Sequence, residues 1–189
     1  MIDRRLALAL PLVLLAACKG DGSGDDGDVP FDVAACPYIS GGDTTAQFTS
    51  TCASCTVTNQ AAAYDGDAGT FATVNMPALS QGSVALRVTA QDGVVFSAGS
   101  NPGVILSSAG NSGNTVFNNG YELRTYMDGA PAGSTASASP TIVGGSGSST
   151  PYRASFTSAA AFNAVEVGYT FGTNSEDKTF RVHEFCSDG

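Results

Sequence analysis

The chain has 189 residues and a formal net charge of −9, with 17 Asp and Glu against 8 Lys and Arg. So acidic a polymer is repelled by phosphate backbones, which excludes nucleic acid as a natural partner. One histidine and no tryptophan leave little for histidine-based catalysis and remove the strongest sugar-stacking ring.

Arg4 and Arg5 precede an apolar run from Leu6 to Leu15 that only Pro11 interrupts. The run is too short to span a bilayer as a stable helix, and it fits the apolar segment of a secretory signal peptide. Leu15-Ala16-Ala17-Cys18 follows and resembles the bacterial lipobox, in which small residues let a peptidase close on the backbone and the thiol accepts lipid. The resemblance implies a lipoprotein signal peptide over 1–17, cleavage before Cys18, and a membrane held through acyl chains on that cysteine. Two or three chains suffice for stable anchoring where one is marginal. Lys19, not Asp, comes next; in a Gram-negative cell this resembles an exported protein released to the outer membrane or cell surface. Loss of the leader removes Arg4, Arg5 and Asp3, leaving the rest one unit more acidic.

Residues 18–30 carry the lipidated cysteine and an acidic Gly/Asp stretch, KGDGSGDDGD. It cannot bury apolar surface and reads as a flexible tether. Its aspartates lack the spacing and terminal Glu of an EF-hand. The folded domain is expected over 31–189. No stretch beyond the leader has helical periodicity; short alternating runs appear between Gly, Asn, Ser and Pro clusters. Val84, Leu86 and Val88 alternate with Ser83, Ala85 and Arg87. Val94-Val95-Phe96 and Val104-Ile105-Leu106 are further strand candidates. Tyr121, Leu123, Thr125 and Met127 form one face before an Asp128-Gly129 turn. Tyr152 to Phe156, then Val165, Val167, Tyr169 and Phe171, then Phe180 and Val182, complete the set. Many short strands with polar turns predict an all-β antiparallel sandwich or barrel. Segments 99–119 and 130–150, rich in Gly, Asn, Ser and Thr, read as long loops, where binding usually sits.

Apart from Cys18, four cysteines remain: Cys36, Cys52, Cys55 and Cys186. An even number in an exported chain reads as two disulfides. Cys36–Cys186, tying the domain's ends, and Cys52–Cys55, a local clip, are the pairs expected, although other connectivities are open. A zinc role for Cys52-Ala53-Ser54-Cys55 would need a second ligand pair, and a thioredoxin-like role a βαβ setting.

The segment from Cys52 to Val74 carries the chemistry. Asp65-Gly66-Asp67 and Thr70 place two carboxylates and a hydroxyl close together, and Gly66 and Gly69 let the backbone curl so that carbonyls can turn inward. Calcium asks for such hard oxygens. Ala63-Tyr64-Asp65-Gly66-Asp67-Ala68-Gly69-Thr70 resembles the "A-x-DG-x-x-x-T" loop of discoidin-like (coagulation factor 5/8 C-type) domains. Phe180-Arg181-Val182-His183-Glu184-Phe185 resembles that family's closing strand. The likeness covers 52–86 and 161–186, and it implies a galactose-binding-like jelly roll with neighbouring termini. It also implies one structural calcium ion, held by the Asp65 carboxylate, the Asp67 carbonyl, Thr70 and the Glu184 carboxylate. The family usually has Trp a little beyond the Thr, where this chain has Phe71. Independently, Glu184 shares the parity of Phe180 and Val182, so it is expected to point inward, away from Arg181 and His183. A buried carboxylate there needs a cation or hydrogen-bond donors.

No catalytic motif occurs, and His183 is expected to be a surface histidine. The expectation is therefore a non-catalytic, membrane-anchored binding module. The resemblance implies carbohydrate or cell-surface adhesion as its role, with the ligand held by loops at one end. The competing reading is a structural or accessory envelope lipoprotein that binds a protein partner.

Overall fold

The computed structural model describes residues 37–108, 121–135, 139–142, 151–174 and 176–188. The signal peptide, Cys18, the tether and Cys36 lie outside the described residues. The strands are β1 (Thr45–Ser50), β2 (Thr56–Thr58), β3 (Ala72–Met76), β4 (Gly82–Thr89), β5 (Asn101–Ser108) and β6 (Tyr121–Met127). They continue with β7 (Ala130–Thr135), β8 (Ser139–Ile142), β9 (Tyr152–Ser155), β10 (Ala164–Phe171) and β11 (Lys178–Asp188). They form two sheets, ordered β1-β4-β10-β6-β7 and β2-β3-β11-β5-β9-β8. All named pairings are antiparallel. Among the described residues the only helical element named is a 3-10 turn, Gln60–Ala63. The protein is an all-β antiparallel sandwich.

Alternation builds the core. Val84, Leu86 and Val88 of β4, with Val165 and Val167 of β10, point between the sheets. They meet Val74, Met76, Leu106, Val182 and Phe185 of the other sheet. The Asp128-Gly129 turn also forms, with φ of 50° and 82°, the two positive angles that a tight hairpin requires. Ala in place of Gly129 keeps space around the new methyl but must hold a left-handed φ. We expect a loss of about 1 kcal/mol, read as a lower urea midpoint with unchanged slope.

Two expectations are corrected. Val94 and Val95 are exposed and lie in a turn that Val94 N–H closes onto the Gln91 carbonyl at 3.0 Å; only Phe96 makes a bridge, to Phe162. Segments 99–119 and 130–150 are not wholly loop, for β5 pairs with β11 and β9, β7 with β6, and β8 with β9. Backbone pairing at a sheet edge needs no apolar side chains, so small-residue strands escape a hydrophobic pattern search.

Candidate functional site

The loop 65–70 is knitted by its own side chains. Asp65 Oδ1 accepts the Asp67 N–H at 2.9 Å, and Asp67 Oδ1 accepts the Gly69 N–H at 2.8 Å. The Thr70 hydroxyl reaches Asp65 Oδ2 at 2.7 Å and the Asp67 carbonyl at 3.0 Å. Gly66 sits at φ 83°, which turns its N–H onto Glu184 Oε1 at 2.6 Å. Glu184, more than a hundred residues along the chain, is thus brought to the loop that holds Asp65 and Thr70, and Asp67 contributes its carbonyl to the group.

Glu184 is wholly buried, and its Oε2 has no hydrogen-bond partner. Burial, and then the neighbouring Asp65 carboxyl, push its pKa up to about 8. For Asp65, burial works in the same direction but is outweighed by hydrogen bonds from Thr70 and the Asp67 N–H, which hold its carboxyl below the usual range. The Tyr38 hydroxyl is also buried without a partner; burial, then Glu184 and Asp67, raise its pKa. Two orphaned oxygens beside paired carboxylates is a donor set that fits a hard cation, because a buried carboxylate without compensation is costly. Among the described residues no three His, Cys, Asp or Glu side chains gather at one point. Such a cation would therefore depend on the Thr70 hydroxyl and main-chain oxygens as much as on carboxylates.

The path by which Glu184 gets there differs from the parity argument. Val182 pairs with Leu106 but Glu184 with Ile105, so His183 is an extra residue in a β-bulge. Past the bulge the alternation flips. Phe185, opposite Val104, enters the core, while Glu184 takes the side of Ile105, under the loop rather than between the sheets. His183 is buried too, not at the surface. Its Nδ1 lies 2.9 Å from the Ala68 carbonyl and its Nε2 2.7 Å from Ser107 Oγ. A carbonyl only accepts, so Nδ1 carries the proton and the Ser107 hydroxyl donates to Nε2. Burial lowers the pKa of His183. Ser107 is itself buried, so this contact pins the loop to the sheet. Phe71, the residue at the family's Trp position, packs edge-on to His183 at 5.4 Å and lies under the Arg181 guanidinium.

Cys52 and Cys55 are disulfide-bonded, clipping the turn after β1. Cys186 is disulfide-bonded as well, and Tyr38 bridges to it; its expected partner, Cys36, lies outside the described residues. Cys18 lies outside them also.

A second constellation, absent from the sequence reading, lies on the open face of the five-stranded sheet. The strand register aligns Arg87, Glu166 and Arg124 in one row across β4, β10 and β6. Glu166 is 3% exposed and fully engaged. Its Oε2 accepts Arg87 Nε and Nη2 at 3.0 and 2.8 Å, and its Oε1 accepts Arg124 Nη1 and the Tyr126 hydroxyl at 3.0 and 2.9 Å. Arg124 also donates to Glu122, and that contact, then Glu166, raises the guanidinium pKa further. The Arg87 guanidinium lies 3.4 Å over the Tyr126 ring. Beside this row run small residues: Thr49 opposite Ala85, and Ala85 opposite Gly168. The result is a concavity of about 340 Å³ lined by hydroxyls and arginines. Each outward residue could be read from strand parity, but their alignment needs the order β4-β10-β6.

No family model and no curated protein matches the chain. Among solved structures it is similar to one described as "CBM4 structure and function", at 16% identity and a TM-score of 0.36, covering 62% of this chain and 82% of that one. A second, "Structure of CBM32-1 from a family 31 glycoside hydrolase from Clostridium perfringens", is 12% identical with a TM-score of 0.40, covering 72% and 95%. Both scores lie under 0.5, so the functional reading rests on the chain's own residues.

Proposed function

We propose that this chain is an exported lipoprotein, anchored by acylated Cys18 at the outer membrane or cell surface, whose sandwich is a non-catalytic carbohydrate-binding module. The observation that carries the binding role is the closed network around Glu166. Both Glu166 oxygens are satisfied by Arg87, Arg124 and Tyr126, which fixes the arginines while each keeps further N–H donors, so the concavity is polar and rigid. Glu166, the one acid lining it, spends both oxygens on neighbours. Hydroxyls and guanidinium N–H groups on a fixed surface suit a ligand made of hydroxyls. A calcium ion held by Asp65, Thr70, Glu184 and the Asp67 carbonyl would be structural, pinning the loop to β11 as hard-oxygen ligands do.

The test is binding to a glycan array and to whole envelope polysaccharide. Binding is expected, and Arg124→Ala is expected to weaken it about tenfold, the worth of one charge-assisted hydrogen bond. Blank results on both, with folded protein, would overturn the carbohydrate reading. Palmitate labelling lost in Cys18→Ser checks the anchor.

A further inference from the structure

The concavity's charge and shape go further than "carbohydrate". Resting on the carbohydrate reading above, we infer that the open sheet face binds an uncharged glycan chain laid across the strands. The ligand would sit in the trough Thr49–Ala85–Gly168, beside the Arg87–Glu166–Arg124 row.

Charge comes first. The positive charges of Arg87 and Arg124 are matched by Glu166 and Glu122, and the chain as a whole is at −9. A uronate or sulfate would have to displace Glu122 from Arg124 and approach against the net field. A neutral sugar faces neither cost.

Shape comes second. A further concavity of about 470 Å³, lined by Pro131, Ala132 and Gly133, shares Arg124 and Tyr126 with the first. Together they run from β1 to β7 across five strands, roughly 19 Å at ordinary strand spacing, which is several sugar rings long. Gly168 keeps the trough open at its midpoint, since a Cβ there would stand 3.3 Å from Arg124 Nη1.

The mode of contact comes third. Tyr121 and Tyr169 belong to the core, and Arg87 caps the Tyr126 ring, so these rings offer no stacking face in the trough. Recognition falls to hydrogen bonds from guanidinium groups and from the hydroxyls of Thr49, Ser83 and Thr170, which both donate and accept as sugar hydroxyls do.

The experiment uses the full chain in detergent micelles. It measures binding to gluco-, xylo-, manno- and galacto-oligosaccharides of increasing length, and to polygalacturonate and chondroitin sulfate. The expected result is binding to a neutral series, with affinity rising at least tenfold from monosaccharide to the longer chains and unchanged between ~50 mM and ~0.5 M salt. Gly168→Leu, filling the trough, should lower that affinity at least tenfold in protein that still unfolds cooperatively; Thr49→Trp on the exposed rim should do the same if the first variant folds poorly. Glu122→Gln should bring polygalacturonate binding that the parent lacks. Binding confined to the acidic polymers, affinity that falls with salt, monosaccharides held as well as chains, or wild-type affinity in both blocked variants would overturn this inference while leaving a carbohydrate module standing. No binding to any glycan would instead overturn the carbohydrate reading itself, and this inference with it.

Discussion

In calcium the protein is expected to melt about 5–10 °C above its temperature in chelator, and Glu184→Ala and Asp65→Ala are each expected to erase the difference. A ligand at a hundred times its dissociation constant stabilises by about 2.7 kcal/mol, which for a domain of this size is several degrees. The physical reason is Glu184, wholly buried with Oε2 unpartnered and its pKa pushed up to about 8 by burial and Asp65. That shift also fixes the pH dependence. In chelator the folded state holds a proton on Glu184 that the unfolded chain releases near its ordinary value of about 4.3. This contribution is therefore fully present below about pH 4.3 and is lost as pH rises towards 8. Calcium competes for the same carboxylate, so its effect grows over the same interval. The gap between the two melting curves should widen from pH 5 to pH 8. Glu184→Gln, which holds no charge, should flatten the chelator profile. Identical melting with and without calcium at pH 8 would remove the metal from the account and leave Glu184 a buried protonated acid.

The elements legible in the sequence are those where one face is apolar and the other is not. β4 and β10 read off directly because Val84, Leu86 and Val88, and Val165 and Val167, alternate with polar or small residues. The Asp128-Gly129 turn was legible for a different reason, its demand for positive φ. The loop 65–70 was legible from the chemistry of its oxygens. What escaped has a physical cause in each case. The bulge at His183 shifts register by one residue, and a shift of one inverts every later side chain. Strand parity alone therefore puts Glu184 on the wrong side of the sheet and His183 at the surface, whereas both are buried beneath the loop 65–70. β7 and β8 are edge strands whose sequences carry little apolar alternation, so the pattern does not reveal their pairing with β6 and β9. The row on the open sheet face is hidden for want of topology. Arg87, Glu166 and Arg124 each look like an ordinary outward charge until β10 is known to lie between β4 and β6.

That row supports the second large effect. Glu166→Ala is expected to cost about 2–4 kcal/mol, seen as a urea midpoint shifted down with little change in slope. Removing one partner of a buried ion pair usually costs about 3–5 kcal/mol because the other charge is left unmatched. Here the stranded arginines keep 21% and 36% of their side-chain surface, so part of their charge can be hydrated again and the cost falls towards the lower end. Arg124→Ala should cost less, about 1 kcal/mol, since Glu166 keeps Arg87 and Tyr126 as donors. Replacing the central pair together, Arg87→Met with Glu166→Leu, should recover much of the loss, because an apolar pair of similar volume carries no unmatched charge. If Glu166→Ala unfolds within about 0.5 kcal/mol of the parent, the network is a surface ornament and gives the trough no rigidity. If it costs the expected amount while the Met/Leu pair restores stability without restoring glycan affinity, the row's charge serves recognition and its packing serves the fold. Those two roles would then be separable on the same three residues.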